Sequence, residues 1–570
     1  SVSSIVASGR VEIANTRRQA LTMAKARIVL VSGLFALIAV VALLRVVYLG
    51  LFEGTPANAN ALGLTPQRGD IVDRNGVPLA RAFPAYALWY NPTALGDDGT
   101  PLVRPVKDVA IALNQIFPDM DVAQTAARLA SGRPGYLRRR ILPEDANRVH
   151  ALGEPALEFP RETERFYPQG SLAAHVLGFV GADGRGHVGM EEVFDKRLTD
   201  PATRGTPQML SLDSRVQGAL EDELLKGIAD TNAKGAAGLV LDVETGEVLA
   251  LASLPSFNPN LIDNAGAGNI FNRVTNQVYE LGSTFKPITV AAAIDAGTVT
   301  DLSRRYQSGQ PLQIGGFRIR DSHNFGPSLN VPEALIHSSN IVTAQVADEL
   351  GGPRLNATMR SLGMNERPFI ELPARGFPLW PKGEWPRITT MTVSYGHGIA
   401  VTPLHLATAY AALVNGGIWR PATLRKLAPG QAPQGRRVFK ASTSARMRQL
   451  LRMIVVDGTG KKANALGYRV GGKTGSAEKP GVGGYRRSSL VSTFAAAFPM
   501  DHPRYVIIAM LDEPQGTAAT SGQRTAGWTT APIVGRVVPR IGPLLGIMPE
   551  PHRDIDISDL SPLVGNGEGE

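Results

Sequence analysis

Acyl transfer by a serine needs a base within reach of the hydroxyl, and a lysine three residues further along a helix lies on the same face. Ser283-Thr284-Phe285-Lys286 has that spacing. The segment it opens, STFKPITVAAAIDAG, is alanine-rich, carries Pro287 near its start and ends at Gly297, which predicts a helix whose N-terminus falls at Ser283. Free backbone N–H groups and the positive end of the helix dipole favour an alkoxide and an oxyanion at such a terminus. Two further groups follow in order, Ser338-Ser339-Asn340 and Lys473-Thr474-Gly475-Ser476. Taken singly, each is weak. Ser-x-Asn also occurs at Ser256–Asn258 and Ser328–Asn330, and Asn330, with Val331-Pro332-Glu333 behind it, is better explained as a helix cap. Ser-x-x-Lys recurs at Ser476-Ala477-Glu478-Lys479, after a glycine-rich, strand-like stretch, and reads as a chance copy. The order of the three motifs is what makes them specific.

These residues need a framework to bring them together. Gly238–Ser253, GLVLDVETGEVLALAS, alternates apolar and polar residues about Glu244-Thr245-Gly246, the pattern of a β-hairpin with one buried face. Val491–Phe498 and Tyr505–Asp512 are two further β-rich runs that should pair across the turn at Pro499-Met500-Asp501-His502-Pro503. Helical stretches such as Pro403–Val414 lie between, so an α+β domain with an antiparallel sheet is expected over 211–545. Residues 53–210 mix short apolar runs with turn signals such as Asn75-Gly76 and Tyr167-Pro168, as in an extended, strand-rich region. The tail over 546–570 is acidic and aperiodic, and mobility is expected of it.

Ile28–Leu44 is uncharged and spans about 26 Å as a helix at 1.5 Å per residue. Beyond Arg45, whose side chain can snorkel to an interface, the apolar run continues to Phe52, so a membrane anchor is expected over 28–52. Residues 1–27 form a basic tail, with Arg10, Arg17, Arg18, Lys25 and Arg27 against Glu12, which is expected to keep the N-terminus cytoplasmic and to make everything after Phe52 extracytoplasmic. A signal peptide cut near Ala57-Asn58-Ala59 fits less well, because the apolar run is too long and the site too distant.

Composition narrows the chemistry. The chain has 570 residues, 43% hydrophobic and 19% charged, enough for two to four folded units. It has no cysteine, which excludes disulfides, thiol nucleophiles and cysteine-ligated metals, and its nine histidines include no His-Glu-x-x-His. No metal or cofactor is expected. A net charge of +9 suits several anionic partners, but no basic–aromatic interleaving points to nucleic acid.

With Tyr279-Glu280-Leu281-Gly282 leading into Ser283, the motif set resembles that of class B penicillin-binding proteins. Arg68-Gly69-Asp70-Ile71-Val72-Asp73-Arg74-Asn75-Gly76, Arg165-Phe166-Tyr167-Pro168-Gln169-Gly170 and Ala174-His175 are similar to that family's pedestal motifs, and the resemblance covers most of residues 28–545. Leu281 stands where the family often has proline. Ser394-Tyr395-Gly396-His397-Gly398, Val401–Leu404 and the 516–528 region are similar to the division-specific, FtsI-type branch, with the elongation-specific branch left open. The resemblance implies a five-stranded antiparallel sheet flanked by helices, a non-catalytic pedestal, and a peptidoglycan D,D-transpeptidase inhibited by β-lactams. It assigns Ser283 as nucleophile, Lys286 as base, Ser338 and Lys473 to proton relay, and Asn340 to a substrate amide. Thr474, Gly475 and Ser476 would bind substrate, with the N–H groups of Ser283 and Ser476 as oxyanion hole. An ordinary lysine has a pKa of about 10.4, and Lys473 within about 4 Å of Lys286 would lower it by roughly three units through like-charge repulsion alone, with burial adding to this. His175, His397 and His405 read as packing residues.

Stem peptides and β-lactams are the implied ligands. The implied partners are a SEDS-class, FtsW-like glycosyltransferase and other divisome membrane proteins, because no Glu-Asp-x-x-Phe glycosyltransferase motif is present. The absence of a Glu-x-x-Leu-Asn stretch argues against a β-lactamase. A non-catalytic penicillin sensor or scaffold is the remaining rival.

Overall fold

The structure is a computed structural model that describes residues 21–43, 68–96, 102–181, 183–481 and 483–565. It divides into two units, residues 1–66 and 67–570. In the first, Leu21–Leu43 is one 23-residue helix, with a mean hydropathy of 2.5 over an 18-residue stretch, long and apolar enough to cross a membrane. It extends ahead of the expected Ile28 because Leu21, Met23, Ala24, Lys25, Ala26 and Arg27 are strong helix formers with no Gly or Pro among them. The rest of the expected anchor, 44–52, and residues 1–20 of the basic tail lie outside the described residues.

The second unit opens with the pedestal. Ile71–Val72 leads through the Asn75-Gly76 turn into the long strand Pro78–Tyr90, which pairs with Arg161–Phe166, Gly135–Ile141 and Leu157–Glu158. Asp73 shapes the turn by accepting the N–H groups of Asn75 and Val77. The helices Val106–Ile116, Val122–Ala130 and Pro143–His150, for which no sequence expectation stood, pack on this sheet around Leu88, Tyr90, Leu113 and Phe117. Ile71–Val72 also pairs in parallel with Gln208–Met209, so the pedestal closes where it began. Asp73 then accepts the N–H and hydroxyl of Ser214, tying the pedestal to the first helix of the next domain.

That domain is built on strands β1 (Gly235–Asp242), β2 (Val248–Leu254), β3 (Gly471–Gly481), β4 (Gly484–Phe498) and β5 (Tyr505–Asp512). They lie in the order β2-β1-β5-β4-β3, antiparallel throughout, so both predicted hairpins meet in one sheet and β3 forms an edge. Its helices include α1 (Ser214–Thr231), α2 (Lys286–Asp295), α3 (Val331–His337), α4 (Asn340–Leu350), α5 (Pro403–Val414), α6 (Ala441–Asp457) and α7 (Ala531–Ile541). Residues of β5 are buried throughout because both faces of the sheet are covered. Val506, Ile508 and Met510 join Leu406, Tyr410 and Leu413 of α5 in one core. The alternate residues Ile507, Ala509 and Leu511 join Leu220 and Leu224 of α1 and Val534 and Val537 of α7 in another.

The acidic tail corrects the expectation of mobility. Through residue 565 it is strapped to α6, with Asp554 paired to Arg452 at 2.8 Å and Asp559 to Arg446 at 2.6 Å, and with Leu560 buried in the larger core. A lack of periodicity marked it as irregular, but the basic face that fixes it is remote in sequence.

Candidate active site

Ser283 sits in a single 3₁₀ turn, Gly282–Phe285, closed by the Lys286 N–H on the Ser283 carbonyl. The α-helix begins only at Lys286, three residues later than the spacing predicted. Pro287 is the cause, because it has no N–H with which to close an α-turn on Ser283. The turn is pinned from three sides. Tyr410 of α5, fully buried, donates its hydroxyl to the Thr284 carbonyl at 2.7 Å. Gly396, at φ +78°, packs so tightly that a Cβ there would lie 2.2 Å from the Gly282 carbonyl oxygen, and a Cβ on Gly475 of β3 would lie 2.5 Å from that of Leu281. Side chains at these two positions would displace the nucleophile's backbone.

Behind the turn lie two lysines with no solvent exposure, Lys286 and Lys473, joined through one hydroxyl. Lys286 Nζ donates to the Ser338 carbonyl at 2.6 Å and to Ser338 Oγ at 3.0 Å. Lys473 Nζ donates to the same Oγ at 3.0 Å, and to Thr474 O and Oγ1 at 2.9 and 3.2 Å. Ser338 can receive both because it ends α3 in the left-handed region, φ 60° and ψ 51°, a conformation that costs a non-glycine residue about 1–2 kcal/mol and turns its carbonyl towards Lys286. The Asn330–Glu333 capping box anchors the other end of α3. Burial is the main force lowering the Lys286 pKa well below the ordinary lysine value; the Lys473 charge adds to it and Asp321 opposes it. This reverses the expected weighting, in which repulsion led and burial followed. Burial also brings Lys473 down to about 7. Both ammonium groups therefore lose a proton more readily than an ordinary lysine does. Lys473 Nζ makes three such contacts and Lys286 Nζ two.

Lys286, Ser338, Lys473 and Thr474 thus form one hydrogen-bonded set, with Thr474 Oγ1 also 2.8 Å from Thr459 Oγ1. Among the described residues none hydrogen-bonds the half-buried Ser283 hydroxyl. Asn340 opens α4 and its Nδ2 donates to the Arg320 carbonyl, so it bonds none of the other site residues. Ser476 lies on β3, where its Oγ accepts the Ala526 N–H, while Lys479 pairs with Asp512 and Glu513. The second Ser-x-x-Lys therefore spans a strand rather than a helical turn.

Sequence reasoning missed Asp321, which accepts the Ser339 hydroxyl and the Ile341 N–H and so holds the Ser338–Asn340 corner. Nothing local marks it. Sequence reasoning also missed the wall of Glu280, Tyr395, His397 and Tyr485, in which the His397 ring lies 5.1 Å from that of Tyr395 and 5.8 Å from that of Tyr485. Its signals were the Tyr279–Gly282 and Ser394–Gly398 motifs, neither of which shows that the fold brings them together with Tyr485. Burial is the main force that presses His397 down to about 4, so it is a neutral packing residue beside the site. His175 and His405 are likewise buried and pushed to about 4 by burial.

Residues 236–536 match the family model of the penicillin binding protein transpeptidase domain, and 64–205 that of the penicillin-binding protein dimerisation domain. The probable peptidoglycan D,D-transpeptidase FtsI of Caulobacter vibrioides is 39% identical over 532 residues, covering 91% of this chain and 89% of the relative. Peptidoglycan D,D-transpeptidase FtsI of Escherichia coli is 30% identical over 545 residues, 91% and 90% of the two chains. Among solved structures, penicillin binding protein 3 of Mycobacterium tuberculosis complexed with ampicillin superposes with a TM-score of 0.67 at 26% identity, covering 85% of this chain and 97% of that one. With both domains matched and near-full-length relatives at this identity, the chain belongs to the class B penicillin-binding proteins, among the FtsI-type peptidoglycan D,D-transpeptidases of cell division.

Proposed function

We propose that the transpeptidase reaction runs through an acyl-enzyme on Ser283. Neutral Lys286 takes the hydroxyl proton as Ser283 Oγ attacks the carbonyl of the penultimate D-Ala of a donor stem peptide. The backbone N–H groups of Ser283 and Ser476 receive the developing oxyanion. The C–N bond to the terminal D-Ala breaks, and the proton passes from Lys286 through Ser338 to the leaving amine. The primary amine of a second stem then attacks the ester, gives its proton back along the same relay, and frees Ser283. Lys473, the charged member, and Thr474 hold the donor's terminal carboxylate. Asn340, whose Nδ2 is committed to Arg320, offers its amide oxygen to a substrate N–H. β-Lactams acylate the same serine as substrate mimics.

The observation that carries this reading is the shared Ser338 Oγ, 3.0 Å from each of two unexposed lysine nitrogens, because it provides both a neutral base and a proton path. The basic residues before and within the start of the Leu21–Leu43 helix support a cytoplasmic N-terminus and an extracytoplasmic catalytic domain. The chain has no glycosyltransferase motif of its own, so glycan polymerisation falls to a partner of the SEDS class, FtsW-like, within the divisome. Ser283→Ala should abolish covalent labelling by a fluorescent penicillin while the protein stays folded by circular dichroism. Label that survives on the folded variant would refute the nucleophile.

A further inference from the structure

The edge strand β3 has a direction relative to the nucleophile. Gly475 packs against Leu281, and Gly282 against Ser476, where a Cβ on Gly282 would lie 3.2 Å from the Ser476 carbonyl oxygen. Lys473 and Thr474 therefore lie towards one end of the Ser283 turn, and Lys479 and Pro480 towards the other. Glu280 is at this second end. Its Oε1 accepts the Gly398 N–H at 3.1 Å and the hydroxyl of Tyr485 at 3.3 Å, and Tyr485 pairs with Pro480 across the β3–β4 hairpin. Its Oε2 is buried and has no hydrogen-bond partner. An unpartnered carboxylate oxygen away from water is costly, and burial accordingly raises the Glu280 pKa. No described cationic side chain pairs with it: Lys479 is taken by Asp512 and Glu513, and neighbouring His397 is neutral.

A donor peptide with its terminal carboxylate on Lys473 and Thr474, and its penultimate carbonyl at Ser283, must run its earlier residues along β3 towards Glu280. We infer that Glu280 and Tyr485 form a cation-recognition subsite for the donor strand, in which a primary ammonium on the side chain of the residue preceding the D-Ala pair binds Glu280. The inference rests on the acyl-transfer reading above, which sets where the D-Ala pair lies. The ammonium takes the unpartnered Oε2 and replaces the long Tyr485 hydrogen bond, while its methylene stem lies against the rings of Tyr485 and His397. Tyr485 is 47% exposed and can swing to admit it. The acceptor's amine is a different group. It attacks from the side the leaving amine vacated, where Ser338 and Lys473 stand, away from Glu280. Glu280 is thereby a specificity-determining residue for a diamino acid in the donor.

The test uses the full chain in detergent and thioester donors, N-acetyl-X-D-Ala-thioglycolate, in which X is lysine, Nε-acetyllysine or norleucine. The readout is the second-order rate of acylation, with fluorescent penicillin counting competent Ser283. The wild type should favour the lysine donor over both neutral donors by roughly tenfold or more, as a charge-assisted hydrogen bond allows. In E280Q that preference should disappear. Equal rates in the wild type, a preference that survives E280Q, or a preference that follows an ammonium on the acceptor each overturn the subsite. In those cases acyl transfer still stands, because penicillin still labels Ser283. Wild-type protein that neither donor nor penicillin acylates sinks the acyl-transfer reading, and the subsite with it. Should E280Q fail to fold, the lysine and Nε-acetyllysine donors decide the matter on the wild type alone.

Discussion

Two buried clusters in this chain treat positive charge in opposite ways. In the pedestal, Arg68, 4% exposed, is enclosed with Glu191, which has no exposure, and lies 2.7 Å from it and 2.7 Å from Asp195. Arg165 holds the other Glu191 oxygen at 2.5 Å, and Tyr167 donates to it at 3.2 Å. Burial alone would lower the Arg68 pKa, but the Glu191 charge and the hydrogen bonds to both carboxylates outweigh it and raise the value. In the catalytic domain Lys286 and Lys473 are enclosed as deeply, but beside each other, and the one carboxylate that raises Lys286 is too weak to offset burial. Desolvation acts in both places. Counter-charge decides whether the buried cation ends with its pKa raised or lowered.

The sharpest way to break this comparison is to replace Lys286, the base of the proposed reaction. Lys286→Gln keeps a donor for Ser338 but has no proton acceptor of comparable strength, and acylation by a chromogenic β-lactam should slow by about 10²–10⁴-fold in stopped-flow measurements. A loss below about tenfold would mean that Lys286 is only a scaffold. In the pedestal the matching change is Glu191→Gln, which leaves two buried arginines short of a counter-charge. It should cost about 3–5 kcal/mol of unfolding free energy in denaturant titration, with the acylation rate of the folded fraction unchanged. A stability loss matched by an equal loss of rate would show that the clusters are not separable.

The smallest effect sharpens the contrast through pH. Burial places Lys473 at about 7, so its charge is present below that value and leaves as pH rises through it. Acylation by carboxylate-bearing donors should therefore fall on the alkaline side, by up to about tenfold per pH unit. Lys473→Arg should move that limb out of the accessible range. The pedestal arginine, raised rather than lowered, has no transition there, and an alkaline limb that persists in Lys473→Arg would assign the titration elsewhere.

Legibility in the sequence followed the range of the interaction. Both β-hairpins of the sheet, the Asn75-Gly76 turn, the Asn330 cap and the apolar N-terminal helix are local patterns, and each was readable from a window of a few residues. Ser283, Lys286, Ser338, Asn340 and Lys473 were readable as motifs, by their order. The 3₁₀ turn at Ser283 was missed because Pro287 was taken to mark the start of a helix rather than to forbid its first α-turn. Asp321, Tyr410 and Glu280 were missed because each acts on a partner brought near only by the fold, as Tyr410 does on Thr284. The tail was misread for the same reason, since its acids meet Arg446 and Arg452 far back along the chain.

By itself, the sequence determined which residues stand in the family's motifs, which segments would be strands or helices, and that a basic, apolar N-terminal segment precedes the two domains, because side-chain type and local period carry that information. Only the tertiary structure decided the lowered pKa of Lys286, the weight of burial over repulsion, and the wall that ends in Glu280. Those depend on how far water is excluded and on which distant charges arrive, and neither is encoded in any short stretch of chain.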